Sequence, residues 1–127
     1  MEINKAAILA EVTALVDRYE RALGDNDIAM LDGMFWQSPR AVRYGVGECL
    51  YGIEEILAFR KARAGGSPPR TIRRMEITTF GDDFATANVE FQRIGGEVIG
   101  RQSQSWARLP EGWRIVSAHV SLQGSGH

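Results

Sequence analysis

Arg43 is the first residue in this chain whose placement needs a chemical reason. It sits in the run AVRYGVGECLYG, residues 41–52, which reads as a short strand over 41–46, a glycine-broken turn and the start of a helix. A strand flanked by helices is a covered strand. A covered guanidinium must find a counter-ion and partners for its donors, or it costs several kcal/mol. Two arrangements meet that demand. One is a salt bridge, for which Glu48 is the nearest carboxylate along the chain. The other is a ligand, because the planar fork of arginine holds a carboxylate through two parallel hydrogen bonds.

The remaining chemistry-bearing types are sparse. Tyr19 falls in the apolar stripe of the first helix, where position alone reads as a core tyrosine whose hydroxyl finds one partner. Ser103 and Ser105 fall on the face expected to be covered by helices, as small residues packed beneath one or as hydroxyls open to a cavity. His119 and Glu90 have the types of general bases, but they alternate in phase with Asn88 and Gln102 and are expected to make hydrogen bonds on the outer face. Cys49 is the single cysteine and has no histidine nearby in sequence, which reads as incidental. The other histidine is the terminal His127, so no histidine, cysteine and carboxylate group stands at ligand spacing and no metal is expected. The pairs Gly65-Gly66 and Gly95-Gly96 do not follow a strand and open a helix, so they read as turns rather than phosphate cradles. No cofactor is expected.

The elements that must position these residues follow from periodicity. Ile8, Val12, Leu15, Val16, Tyr19 and Leu23 recur at spacings of three and four, drawing one stripe along a helix with Asn4 as its expected cap and Gly24 as its stop. A short second helix follows Asp27 and turns Leu31, Met34 and Phe35 to one side. A third helix is expected over 52–63. Beyond the loop AGGSPP, residues 64–69, the chain changes character to strands over 70–80, 84–93, 97–108 and 113–122, joined by tight turns into an antiparallel meander. The tail 124–127 has nothing to bury and is expected to fray.

Alternation divides the meander into two faces. Met75, Ile77, Ala85, Ala87, Val89, Phe91, Ile99, Ser103, Ser105, Val116, Ala118 and Val120 make the face expected to be concave and helix-covered. Arg74, Glu76, Asn88, Glu90, Gln102, Gln104, Ser117 and His119, with Phe80, Phe84, Trp106, Trp113 and Ile115, make the other. Its mix of aromatics and amides suits a subunit interface, so a homodimer through the convex sheet face is expected.

Composition limits the alternatives. A chain of 127 residues with 44% hydrophobic and 24% charged residues and a formal net charge of −1 is that of one globular domain spanning 1–127. Arg60, Lys61, Arg63, Arg70, Arg73 and Arg74 form the densest basic region, but they straddle a helix end and a loop. Helix-dipole and surface roles are expected there, not nucleic acid. One cysteine argues against a disulfide-forming compartment, and the polar-interrupted N-terminus against a signal peptide or membrane span, so the cytoplasm is expected.

Helix, helix, strand, helix and then a meander resembles the order of the cone-shaped α+β superfamily of nuclear transport factor, ketosteroid isomerase and SnoaL-type cyclases. The resemblance implies a cystatin-like fold, with the N-terminal helices packed on a curved, mainly antiparallel sheet. Five runs make a closer match: LDGMFW (31–36), AVRYGVGECLYG (41–52), IEEILAFRKAR (53–63), ITTFGDDFATANVEFQR (77–93) and GRQSQSWARLPEGWRIVSAHVSL (100–122). Together they resemble the AtzH and HpxZ group, small bacterial proteins encoded with amidases of cyanuric acid and oxalurate catabolism.

That resemblance implies cofactor-independent decarboxylation or hydrolysis of a small N-carboxylated urea, as in 1,3-dicarboxyurea to allophanate, or of a related ureido acid. It also implies a tyrosine on the first helix and an arginine on the first strand as catalytic, here Tyr19 and Arg43. Loss of CO₂ from an N-carboxylate needs a proton delivered to nitrogen while the departing carboxylate is stripped of water. Tyr19 would give the proton, Arg43 would grip the carboxylate that stays, and Ser103 and Ser105 would orient the urea carbonyl. A non-catalytic accessory or ligand-binding partner of an amidase is the other class the same cavity would serve. A steroid-type isomerase would want a carboxylate base in a dry cavity, and none falls on the expected concave face.

Overall fold

The 3.6-residue stripe before residue 26 and the strand alternation after residue 70 generate two layers, helices on one face of a sheet. The computed structural model describes residues 1–124. Of the tail expected to fray, residues 125–127 lie outside the described residues. The first helix, α1 (Ala6–Asp25), buries Ile8, Val12, Val16, Tyr19 and Ala22 along the stripe its spacing predicts. Asn4 does not cap it. The Asn4 side chain instead accepts from the Thr79 backbone N–H at 2.9 Å, and its own N–H donates to the Thr79 carbonyl at 3.0 Å, pinning the helix start to a strand end. Gly24 does not stop the helix either, because Asn26 takes the left-handed conformation at φ 52° that closes it. Asp27 does cap α2 (Ile28–Gly33), accepting from the Met30 N–H at 3.2 Å.

The expected strand over 41–46 is the shorter β1 (Val42–Tyr44), and a second short strand, β2 (Cys49–Tyr51), pairs with it as a hairpin where only a turn and a helix entry were expected, leading straight into α3 (Ile53–Ala62). The meander follows as β3 (Arg70–Phe80), β4 (Phe84–Arg93), β5 (Ile99–Leu109) and β6 (Gly112–Leu122). All six strands form one sheet in the order β2-β1-β6-β5-β4-β3. Among the strand pairs of the described residues, β1 with β6 is parallel and the others are antiparallel. No helix among the described residues is long and apolar enough to cross a membrane.

The register corrects the expected faces. Residues opposite one another in adjacent strands share a face. Ala85 pairs with Trp106, Ala87 with Gln104 and Val89 with Gln102, so Gln102, Gln104 and Trp106 point inward with the small apolar residues of β4. Ser103 lies opposite Asn88 and donates to its Oδ1 at 2.7 Å on the outer face, and Ser105 and Ile99 share that outer phase. The expectation failed because it sorted β5 by polarity, serines in and amides out. Gln102 is buried with both ends partnered, bonding Arg70 and Glu20, whereas Gln104 is partnered at one end only: its Oε1 accepts from Trp106 Nε1 at 3.0 Å and its Nε2 is buried without a partner among the described residues.

A bulge completes the correction. In β6 the pairing jumps from Ser105↔Ser117 to Trp106↔Ile115, leaving Val116 unpaired. Trp113 and Ile115 therefore face inward together with Ala118 and Val120, although the two pairs are out of phase in sequence. Trp106, Trp113 and Ile115, expected outside, join the core with Phe35, Val12 and Val16. The outer face keeps Phe80 and Phe84, whose rings lie 6.1 Å apart, and the charged residues of β3 and β4.

Candidate functional site

The inner face runs out of packing partners at one end of the sheet, where β3 and β5 begin and β4 and β6 end. There α1, the β1–β2 hairpin and α3 leave a cavity of about 120 Å³. Spacing explains how each element reaches it. Val12, Val16, Tyr19 and Leu23 share one face of α1, with the last two at the cavity end. Arg43 is the middle residue of β1, opposite Ala118 of β6, and therefore points inward. In α3, Ile53, Ile56, Arg60 and Arg63 recur at intervals of three, four and three, so the apolar face of the helix ends in two arginines. Arg70, Arg93, Gln102 and Val120 come from the four long strands.

Tyr19 and Arg43 line the same cavity, 4% and 8% exposed respectively. The Tyr19 hydroxyl has no hydrogen-bond partner among the described residues. Its side chain touches the cavity, so the bond a buried phenol normally makes is left for something inside it. Arg43 has a partner: Nη1 donates to Glu48 Oε2 at 2.8 Å, and its guanidinium lies 5.4 Å from the centre of the Phe59 ring. Of the two arrangements set out above the salt bridge is present, and Arg43 also lines the cavity a ligand would enter.

Gly45 makes that pairing reachable. Its backbone N–H donates to the Glu48 carbonyl at 2.9 Å, and the Glu48 carboxylate occupies the space a Cβ at Gly45 would need.

The charge of the site comes mainly from residues that sequence reading assigned to the surface. Five arginines line the cavity: Arg43, Arg60, Arg63, Arg70 and Arg93. Arg60 Nε donates to Asp32 Oδ1 at 3.0 Å. Burial pushes the Asp32 carboxyl above the usual carboxylate range, against the pull of Arg60. Arg70 Nη2 donates to both Glu20 oxygens, at 2.8 and 2.7 Å, and to Gln102 Oε1 at 3.0 Å, while its guanidinium lies 4.2 Å from the centre of the Phe91 ring. Arg63 and Arg93 have no carboxylate partner among the described residues. Burial first, then the charge of Arg43, lowers the Arg63 pKa below the ordinary guanidinium value. The cavity is thus a cationic pocket with an apolar wall of Leu23, Phe59, Phe91 and Val120, suited to a small anion with a neutral centre.

Half of the basic cluster read as surface is therefore site. Lys61, Arg73 and Arg74 are exposed, whereas Arg60, Arg63 and Arg70 line the cavity. The signal was present in α3, whose stripe continues into Arg60 and Arg63, and in β4, where Arg93 continues the phase of Val89 and Phe91, but Gln102 needed the register. Ser103 and Ser105 are absent from the cavity, so they cannot orient a substrate there. His119 and Glu90 are on the outer face as expected. The His119 ring lies 5.6 Å from that of Tyr44, and Glu90 stands 3.7 Å from Arg73. Cys49 is exposed on the edge strand.

The Phe91 ring fills the place of a side chain at Gly100, across the β4–β5 pair. Gly100→Ala is expected to displace Phe91 and the Arg70 guanidinium stacked on it, at a cost of about 1–3 kcal/mol in urea unfolding. A variant as stable as the parent would contradict that packing.

Comparison with known proteins follows the same lines. The AtzH-like family model matches residues 1–126. Among solved structures, a protein of unknown function of the DUF3225 family from Pectobacterium atrosepticum is 56% identical. That match covers 96% of this chain and 95% of that one, with a TM-score of 0.91. A cystatin-like fold protein from Burkholderia xenovorans is 46% identical, covering 99% of each chain, with a TM-score of 0.93. A nuclear transport factor 2-like superfamily protein from Salmonella enterica is 26% identical over 96% of this chain and 99% of that one, with a TM-score of 0.74. None of the curated proteins matches the chain. The fold is cystatin-like, of the nuclear-transport-factor-like superfamily.

Proposed function

The chain belongs to the AtzH-like family, and from that premise we propose that it decarboxylates a small N-carboxylated urea, of the 1,3-dicarboxyurea type, without a cofactor. The observation that carries this reading is the shared cavity: an unpartnered Tyr19 hydroxyl and the Arg43 guanidinium line one cationic pocket with an apolar wall. In the proposed step the C–N bond to the departing carboxylate breaks and its electron pair stays on nitrogen. That nitrogen takes the Tyr19 proton, CO₂ leaves, and the phenolate is reprotonated by water. The wall of Phe59 and Phe91 favours neutral CO₂ over the carboxylate it came from.

The full chain incubated with freshly generated 1,3-dicarboxyurea is expected to release CO₂ well above the spontaneous rate with no metal or cofactor added. A rate equal to the spontaneous one, with the ligand still bound, would favour a ligand-binding partner of an amidase instead.

The proposed assembly is a homodimer through the outer sheet face. That face exposes Phe84 and Tyr51 and carries Arg74 and Arg101 beside Glu76 and Glu90, signs that a two-fold axis can set against each other. Light scattering at micromolar concentration is expected to give twice the 14.1 kDa chain mass, and a monomer would remove the proposal.

A further inference from the structure

Arg63 and Arg93 differ from the other cations of the cavity in having no carboxylate beside them among the described residues, whereas Arg43, Arg60 and Arg70 each have one. They come from opposite layers. Arg63 is the residue that closes α3, and Arg93 is the last residue of β4, across from Arg70. Arg43 and Arg93 both repel the charge of Arg63, and the carboxylate that opposes them, Glu48, is bonded to Arg43 rather than to Arg63. Two cations converging on one pocket repel each other unless an anion sits between them. Arg43, by contrast, already spends Nη1 on Glu48, so an arriving carboxylate competes there with a resident one.

We propose that Arg63 and Arg93 form a carboxylate subsite separate from Arg43, which holds the substrate's second carboxylate and makes the protein selective for dianions. The assignment of that group as the carboxylate that stays rests on the decarboxylation reading. A departing carboxylate should be held weakly, because a strong grip stabilises the anion more than the transition state that leads to CO₂. The Arg43–Glu48 pair, close to neutral as a unit, is a weak grip that still orients. The unpaired Arg63 and Arg93 are a strong one. This reverses the roles expected from sequence, in which Arg43 held the carboxylate that stays.

The test uses ligands that do not react, so it stands apart from turnover. Titration calorimetry of the full chain is expected to show malonate, with two carboxylates, binding at least about tenfold more tightly than acetate. Arg63→Gln and Arg93→Gln should each reduce malonate affinity by about tenfold, to within about twofold of the parental acetate affinity. Thermal unfolding should confirm that both variants are folded, and Arg63→Lys should recover part of the loss because it restores the charge without the fork.

Malonate affinity unchanged in both glutamine variants would overturn the subsite. Inorganic sulfate binding as tightly as malonate, with the same dependence on both arginines, would overturn its assignment to a carboxylate. Dianion selectivity without CO₂ release would sink the proposed reaction and leave the subsite standing. CO₂ release without dianion selectivity would do the reverse.

Discussion

Tyr19→Phe is expected to lower the rate of CO₂ release by about 10²–10⁴-fold, the range contributed by a positioned proton donor, while leaving the fold intact. The substitution removes one oxygen that bonds nothing in the protein among the described residues, and the ring keeps its place in the α1 stripe beside Val16 and Leu23. Stability should therefore move by less than about 1 kcal/mol. Malonate binding should also persist, because the cationic groups of the pocket are untouched. Steady-state CO₂ release, thermal unfolding and calorimetry separate the three effects. A variant with parental turnover would take Tyr19 out of the mechanism, whatever its position in the cavity.

Trp106→Ala is expected to destabilise the protein by about 3–5 kcal/mol, the cost of emptying a large core site. The melting temperature should fall by about 10 °C or more. Trp106 is 0% exposed, opposite Ala85, and its indole N–H donates to Gln104 Oε1, so truncation leaves both a cavity and an unpaired buried amide. The same residue on the outer face, where sorting β5 by polarity puts it, would be expected to cost about 0.5 kcal/mol or less. Urea unfolding thus measures the register of β5 directly, and a loss below about 1 kcal/mol would contradict the inward placement.

The two variants probe readings that were unequally visible. Tyr19 could be placed from sequence because the α1 stripe is a local repeat of three and four residues, and a local alternation of two supplied the inward phase of β4 in the same way. The resemblance to the AtzH and HpxZ group singled out Tyr19 and Arg43 together, and both line the cavity. Arg60 and Arg63 were also legible, since they continue the α3 stripe at intervals of four and three. They were set aside because charged residues at a helix end are usually solvated. The serines of β5 misled for the opposite reason, because small polar residues appear suited to a covered face until the amides beside them find partners.

Neighbours a few residues apart along the chain specify the helices, the four long strands and their turns, the inward phase of β4, and a guanidinium at Arg43 that has to be compensated. Groups brought together from far along the chain follow from closure of the fold. The bulge at Val116 turned Trp113 and Ile115 into core, and Glu20 came to Arg70 from fifty residues away. Glu48 folded back over Gly45 onto Arg43. Arg63 and Arg93 came to line one cavity with no ion pair of their own among the described residues. Backbone periodicity is a local property and can be read along the chain, whereas the pairing of charges is a property of closure, settled when the sheet register and the helix layer are both in place.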